Sequence, residues 1–239
     1  MRKQSRFLIS LIILAGCAAL VPDPVVRAQV NNKPYQEWTV KEAEALLINS
    51  SWAQTLEAGV AVGGLDTQTA VMGTAVTLRL RSALPVRQAL VRLRQLKAKY
   101  DKMGDSDKAA FDTRNKPLLE CPACDDYYVV SLNPGPGSNK GVPNALRTMS
   151  LAQVKLNVHL KNENGETREL VNFVNPKVAG DEAVFFFSRL NSKGEPLISP
   201  QSRTLTVTFD PVIFEGATIR ATKFDFDVAK MMVDGRVAF

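Results

Sequence analysis

The stretch of the chain most suggestive of chemistry is a pair of cysteines, Cys121 and Cys124, in the sequence ECPACDD. A C-x-x-C pair is compatible with a redox centre, half of a zinc site, a haem attachment or a structural disulfide. Haem attachment of the c type requires a histidine after the second cysteine, and Asp125 stands there instead. A zinc site requires about four ligands, whereas the chain has no second cysteine pair and one histidine, His159. We therefore expect neither a metal nor another cofactor.

The charges around the pair bear on its redox chemistry. A thioredoxin-like site lies at the start of a helix, where the dipole and nearby cations lower the thiol pKa. Here three carboxylates flank the pair, and these are Glu120, Asp125 and Asp126. With Cys17 lipidated or cleaved off, two cysteines remain, which is the number that a single bridge uses in an oxidising compartment. We therefore predict a structural disulfide between Cys121 and Cys124, with redox catalysis as the alternative.

Two carboxylates near the C-terminus raise a second catalytic hypothesis. In the sequence KFDFDV, alternation places Asp225 and Asp227 on one strand face, about 6 to 7 Å apart. Such a pair could serve a glycosidase, although alternating Phe and Asp is also typical of any half-buried strand. His159 stands among alternating apolar residues and is expected to be an exposed or hydrogen-bonded strand residue. Familiar nucleophile, zinc-protease, phosphate-loop and dinucleotide motifs do not occur in the sequence.

The N-terminus has the features of an export signal. Basic residues Arg2, Lys3 and Arg6 precede an apolar run over 7–14, which is too short to span a membrane as a helix. The sequence LAGC ending at Cys17 resembles a bacterial lipobox, in which the cysteine is lipidated and becomes the first mature residue. Alternatively, Val26-Arg27-Ala28 fits ordinary signal peptidase, which would release a soluble protein starting at Gln29.

Cleavage before Cys17, which we favour, determines the compartment and the net charge of the mature protein. A lipidated Cys17 would anchor the protein in the envelope, and Ala18 at the second mature position implies the outer membrane. Loss of the three basic residues reduces the formal net charge from +6 to +3. That charge is too small to indicate nucleic-acid binding. With 45% hydrophobic and 23% charged residues, the composition is that of a globular protein that can bury a core.

One predicted helix is strongly cationic. Pro85 suits a first helical position, and apolar residues share one face of the sequence that follows. The other side carries five cations that could contact anionic headgroups, wall polymer or another envelope protein, and these are Arg87, Arg92, Arg94, Lys97 and Lys99. The ordinary interpretation of such a face is that it is solvated, and a docking surface is the sharper hypothesis.

Helical patterns come early in the chain and strand patterns come late. Thr39 and Glu42 form a capping box before an apolar stripe of Val40, Ala43, Leu46 and Leu47. Period-two alternation predicts a strand over 70–81, and a short helix is expected over 106–113. Further strands are predicted over 127–132, 153–160, 168–174, 183–190, 203–209 and 221–228, and an exposed loop over 133–144.

This order predicts an α+β fold in which N-terminal helices pack on a mainly antiparallel β-sheet or β-sandwich formed by the C-terminal half. The predicted organisation is a signal peptide over 1–16, or over 1–28 with the alternative cut, a tether over 17–34 and one domain over 35–239. Both tryptophans, Trp38 and Trp52, bracket the first helix and are expected to pack it onto the sheet.

Three segments carry a resemblance to known sequences, and these are KPYQEWTVKEAEALLINSSWA, SALPVRQAL and GDEAVFFFSRLNSKGEPLISP. They resemble an uncharacterised family of exported bacterial proteins of acidobacterial type, with a lipoprotein-like signal. The resemblance implies export but no activity and no functional residue. The sequence therefore predicts a non-catalytic binding or structural module of the cell envelope. The alternatives are a thiol-disulfide oxidoreductase that uses Cys121 and Cys124, and an envelope hydrolase that uses Asp225 and Asp227.

Overall fold

A computed structural model describes residues 33–62, 71–134, 146–178, 180–214 and 217–239. The predicted signal peptide, Cys17, both cleavage sites, nearly all of the tether and most of the loop predicted over 133–144 lie outside these residues. Within the described ranges, no helix combines the length and hydropathy needed to cross a membrane.

Helices and strands occupy most of the described chain. The main helices are α1 (Val40–Ile48), α2 (Leu84–Lys97), α3 (Asp105–Glu120) and α4 (Leu151–Asn157). The first seven strands are β1 (Ala53–Val62), β2 (Val71–Leu80), β3 (Tyr127–Pro134), β4 (Val158–Asn162), β5 (Thr167–Arg168), β6 (Leu170–Val174) and β7 (Ala183–Ser188). The remaining strands are β8 (Thr204–Phe209), β9 (Val212–Phe214), β10 (Ala217–Ile219), β11 (Thr222–Asp227), β12 (Met232–Val233) and β13 (Arg236–Val237).

Two antiparallel sheets form the body of the protein. The large sheet has the strand order β6-β7-β3-β2-β1-β10-β9, and the small sheet has the order β11-β8-β4-β5. Their facing sides share one apolar core, in which the Phe185 ring of the large sheet lies 5.6 Å from the Phe209 ring of the small sheet. The predicted α+β class with antiparallel sheets is confirmed, and the N-terminal hairpin β1–β2 also joins the large sheet.

The helices form a layer on the large sheet. Helix α1 packs on α2 and on β1, and α2 packs on α3. The capping box of α1 is present as predicted, because Glu42 N–H donates to Thr39 Oγ1 and Thr39 N–H donates to Glu42. The Nε of Arg79, on the outer face of β2, donates to the Leu47 carbonyl at 2.8 Å. This contact connects the end of α1 to the sheet face opposite the shared core.

Several element predictions are wrong in instructive ways. The segment 153–160 was predicted as one strand, but its first part continues helix α4, because Ser150 and Gln153 form a second capping box. The helix predicted over 106–113 extends to Glu120 despite Pro117. The predicted strand 168–174 is divided at Glu169, since β5 belongs to the small sheet and β6 to the large one. Strand β1 was not predicted.

Candidate ligand-binding cleft

The predicted disulfide joins Cys121 to Cys124 in the structure, with a Cα–Cα distance of 5.4 Å. Cys121 terminates α3 in a left-handed backbone conformation with φ of 48°. The C-terminal end of a helix carries partial negative charge, which disfavours a thiolate, whereas redox-active pairs use the N-terminal end of a helix. The bridge therefore connects α3 to β3 in an environment unfavourable to a reactive thiolate.

Two of the five cations predicted to form a cationic surface, Arg87 and Arg92, donate to carbonyl groups inside the protein. Arg87 donates to the carbonyls of Leu119 and Ser82 and thereby contacts the last turn of α3. Arg92 is 8% exposed and donates from Nε to the Trp38 carbonyl at 2.8 Å. Packing between α1, α2 and α3 places these two guanidinium groups inside the helix layer. The exposed members are Arg94, Lys97 and Lys99.

The carboxylates of the hydrolase hypothesis have other partners. Asp225 accepts a hydrogen bond of 2.6 Å from Thr206 Oγ1 and lies 2.7 Å from Lys223 Nζ. Partial burial opposes ionisation, but these two hydrogen bonds hold the pKa of Asp225 below its usual range. Asp227 accepts from the Ala229 N–H at 3.1 Å. A glycosidase needs one carboxylic acid with a raised pKa, and Asp225 has the opposite environment.

His159 pairs with Asp210 on the exposed side of the small sheet. Its Nε2 lies 3.2 Å from Asp210 Oδ2, and its side chain is 39% exposed. Within the part of the chain that the structure describes, no group of three His, Cys, Asp or Glu residues is arranged to hold a metal ion.

A cleft of about 310 Å³ lies between α2, the end of β2 and the segment that joins β6 to β7. Its cationic residues are Arg81, Arg94 and Lys177, and its carboxylates are Asp181 and Glu182. Its remaining residues are Leu90, Val174, Asn175, Pro176 and Val184. The volume is at the lower end of the range of about 300 to 1,000 Å³ for small-molecule sites.

Most of these side chains lie in a regular element or directly next to one. Leu90 and Arg94 are four residues apart on α2 and therefore lie on the same helix face. Arg81 follows the last residue of β2, and Glu182 precedes the first residue of β7. The cleft thus combines one helix face with the ends of three strands from the large sheet, β2, β6 and β7.

Glu182 is shared by two arginines. It accepts from Arg79 Nη1 at 2.5 Å and from Arg81 Nη1 at 2.9 Å. The side chains of Arg79, Glu182 and Arg81 are 12%, 18% and 22% exposed. Burial lowers the pKa of Arg79, while the Glu182 charge raises it. One carboxylate therefore compensates two partly buried cations, which leaves a positive charge next to the cleft.

The other carboxylate of the cleft is bound by the backbone. Asp181 Oδ2 accepts from the N–H groups of Lys177 and Val178, both at 3.1 Å. Asn175 Nδ2 donates to the carbonyls of Leu146 and Met149, both at 2.8 Å, and so holds the same loop from its other side. These bonds order the loop that carries Lys177.

Two cations of the cleft lack a carboxylate partner among the described residues. Arg94 donates to a neutral group, Asn115 Oδ1, at 2.9 Å. Lys177 is exposed, and its Nζ has no ion pair with any described carboxylate. The cleft lining has three cations and two carboxylates, a formal net charge of +1, and Arg79 behind Glu182 adds a further positive charge. This excess of positive charge favours anions.

A buried hydroxyl group, that of Ser131, lies in the large sheet beside Arg79. Ser131 of β3 is fully buried, and its Oγ has no hydrogen-bond partner among the described residues. Its register partners are Arg79 on one side and Val184 on the other. The sheet below the cleft is therefore polar at this position, unlike the apolar face shared with the small sheet.

No local pattern in the sequence marks Lys177, Asp181 or Glu182 as a functional residue. Arg94 belonged to the predicted cationic surface, and Arg81 ended the strand predicted over 70–81 without a functional role. A signal was available in Arg79 and Arg81, because two arginines on one face of a strand covered by helices require a buried counter-charge. The partner itself could not be chosen, since Glu182 is 103 residues from Arg79.

No protein-family model matches the chain, and the searches of curated proteins and of solved structures found no match either. The geometry of the cleft therefore carries the interpretation that follows.

Proposed function

We propose that this protein is an exported, lipid-anchored component of a bacterial cell envelope and binds an anionic ligand without transforming it. The ligand occupies the cleft between α2 and the large sheet. The single observation that supports this function is the excess positive charge of the cleft: the side chains of Arg94 and Lys177 form no ion pair with a described carboxylate, and Glu182 is shared by two arginines.

The groups around the cleft suit binding better than catalysis. Guanidinium groups form forked hydrogen bonds to carboxylates and phosphates, and an ammonium adds a point charge. Arg81, Arg94 and Lys177 are ligand-holding groups of this kind, and the two carboxylates beside them already have hydrogen-bond donors. The disulfide at the end of α3 and the Asp225 carboxylate lie in environments that do not suit redox or glycosidase catalysis.

The envelope location is supported by the sequence around Cys17. The described chain starts at Lys33, whose carbonyl accepts a hydrogen bond of 3.1 Å from Trp38 Nε1. The proposed tether therefore joins the folded domain next to α1. If cleavage follows Ala28 instead, the same domain acts as a soluble periplasmic or secreted protein.

The anchor is tested by the intact mass of the mature protein purified from its own host, with and without reductant and thiol alkylation. A chain that starts at Cys17 and carries added acyl mass supports the lipoprotein proposal. A chain that starts at Gln29 without added mass contradicts the anchor and leaves the binding proposal in place.

Anion binding is tested by titrating the protein with inorganic phosphate while amide shifts are followed by NMR. We expect phosphate to shift the amide signals around Arg94 and Lys177. The affinity for phosphate should be about fivefold lower in Lys177→Gln, because a charge-assisted contact is lost. Lys97→Gln is the matched control, since Lys97 is an exposed cation of α2 outside the cleft. If neither phosphate nor an alkyl phosphate shifts these amides, the binding proposal is wrong.

A further inference from the structure

We infer that the ligand is a small amphiphile, with a phosphate or carboxylate head and a short aliphatic chain. This inference rests on the proposed binding function and adds the chemical class of the ligand. It is carried by the juxtaposition, in one cleft, of three cations with four apolar side chains, and these are Leu90, Val174, Pro176 and Val184.

Three of the apolar residues of the cleft come from three different elements. Leu90 belongs to α2, Val184 to β7, and Val174 ends β6. Val174 is 45% exposed. Apolar surface in contact with water is unfavourable, so a ligand that covers it gains binding energy that an inorganic ion cannot gain.

The cations of the cleft suit an oxyanion head group. Arg81 Nη1 donates to Glu182, and Arg94 Nη1 donates to Asn115. These hydrogen bonds orient both guanidinium groups. A guanidinium has five N–H donors, so each arginine retains donors for a ligand. A head group bound between them would compensate the positive charge that Glu182 leaves unbalanced.

The size of the cleft limits the chain of the ligand. About 310 Å³ is near the smallest volume typical of small-molecule sites. A head group with a short chain fits this volume better than a head group with two complete acyl chains. A membrane lipid would therefore enter with only its head and the first part of one chain.

The inference is tested with three probes and the mature protein carrying Cys17→Ser, so that no attached acyl chain competes. Hexyl phosphate has head and chain, inorganic phosphate has the head alone, and hexanol has the chain alone. Calorimetric titration is expected to give about tenfold tighter binding for hexyl phosphate than for phosphate, because part of the chain is buried. Hexanol is expected not to bind, since it leaves the cations uncompensated.

Matched variants test separately what an apolar and a cationic residue of the cleft contribute to binding. Val174→Ser is expected to weaken hexyl phosphate about threefold and to leave phosphate binding unchanged. Val40→Ser is the control, because Val40 is 47% exposed and lies on α1 outside the cleft. Lys177→Gln is expected to weaken both phosphates by similar factors.

The two proposals fail in different ways. Equal affinity for hexyl phosphate and inorganic phosphate overturns the amphiphile and keeps the anion site. An equal loss in Val174→Ser and Val40→Ser also overturns the amphiphile. Absence of binding by both phosphates overturns the proposed function together with this inference.

Two sources share this chemistry, namely a free amphiphile and a lipid in a bilayer. Vesicles of phosphatidylglycerol added to the hexyl phosphate complex distinguish them. If the vesicles displace hexyl phosphate, the natural ligand is a membrane lipid. If hexyl phosphate stays bound, the natural ligand is a free amphiphile.

Discussion

At the scale of single residues, Glu182 is the carboxylate that compensates the charges of Arg79 and Arg81. Its two carboxylate oxygens each accept from a different partly buried arginine. Glu182→Gln removes the charge but keeps the shape, so Arg79 and Arg81 are left without a counter-charge. The expected loss in the free energy of unfolding is about 2 to 3 kcal/mol, measured by urea denaturation, because breaking a buried ion pair leaves an uncompensated charge.

The control for Glu182 is the same substitution at an exposed pair. Lys116 and Glu120 are four residues apart on α3, with side chains 67% and 58% exposed. Glu120→Gln is expected to change the free energy of unfolding by less than about 0.5 kcal/mol, as is usual for surface pairs. Similar effects of the two substitutions would contradict the role assigned to Glu182.

Glu42 gives a pH-dependent prediction at the same scale. Hydrogen bonds from the Thr39 N–H and the Thr39 hydroxyl, and then from Lys33, lower the pKa of Glu42 to about 2. A carboxylate whose pKa is lower in the folded state stabilises that state above its unfolded pKa, and this stabilisation is lost as the pH falls through the folded pKa. The contribution of Glu42 should therefore be complete above pH 5 and disappear towards pH 2.

The measurement for Glu42 is an NMR titration of its side-chain carboxyl carbon, with an expected midpoint of about 2. Thr39→Ala removes the hydroxyl donor and should raise this midpoint. A midpoint near 4.5, the ordinary value for glutamate, would show that the capping box does not hold the carboxylate.

At the scale of elements, the Cys121–Cys124 bridge holds the corner where α3 leads into β3. Its loop is so short that the chain-entropy treatment gives only about 2 kcal/mol of stabilisation. Other bonds remain at the corner, because Cys124 N–H donates to the Cys121 carbonyl at 2.8 Å and Arg189 Nε donates to the Cys124 carbonyl at 2.9 Å. We therefore expect the reduced protein to keep its fold.

This expectation is checked by urea unfolding of the protein with and without reductant, and of the variant Cys121→Ser/Cys124→Ser. Both reduced and double-variant proteins should unfold cooperatively, with a free energy of unfolding lower by about 2 kcal/mol. Loss of the cooperative transition under reductant would mean that the bridge supports far more of the fold than this corner.

Local sequence signals predicted some elements and misled at others. The Thr39 capping box predicted the start of α1, because its hydrogen bonds close within four residues. The second capping box, formed by Ser150 and Gln153, starts α4 within a segment predicted as a strand. The prediction failed because period-two alternation over 153–160 also fits a strand. The division at Glu169 was beyond local signals, because the apolar pattern over 168–174 does not reveal that the chain passes from one sheet to the other.

At the scale of the whole molecule, the two sheets depend on the core between them. Phe185 is fully buried there, with ring contacts to Phe173 and Phe209, whereas Phe186 is half-buried on the opposite face beside Tyr127. Phe185→Ala should lower the free energy of unfolding by about 3 to 5 kcal/mol, because it leaves a cavity in the core.

The neighbouring substitution Phe186→Ala is the matched control. It should cost less than half as much, about 1 to 2 kcal/mol, since less of this ring is removed from water on folding. Urea denaturation of both variants gives the comparison. Equal losses would contradict the assignment of the two faces of β7.

The sequence by itself determined the properties that close over short distances. The α+β class followed from the order of helical and strand periodicities, the start of α1 from its capping box, and the bridge from two cysteines three positions apart. The tertiary structure decided the cleft. Arg81 and Glu182 are 101 residues apart, and the large sheet brings them to 2.9 Å, so their pairing depends on strand order. It also decided that Arg92 is buried and Arg94 exposed, because packing between helices, unlike periodicity, depends on residues far away in the chain.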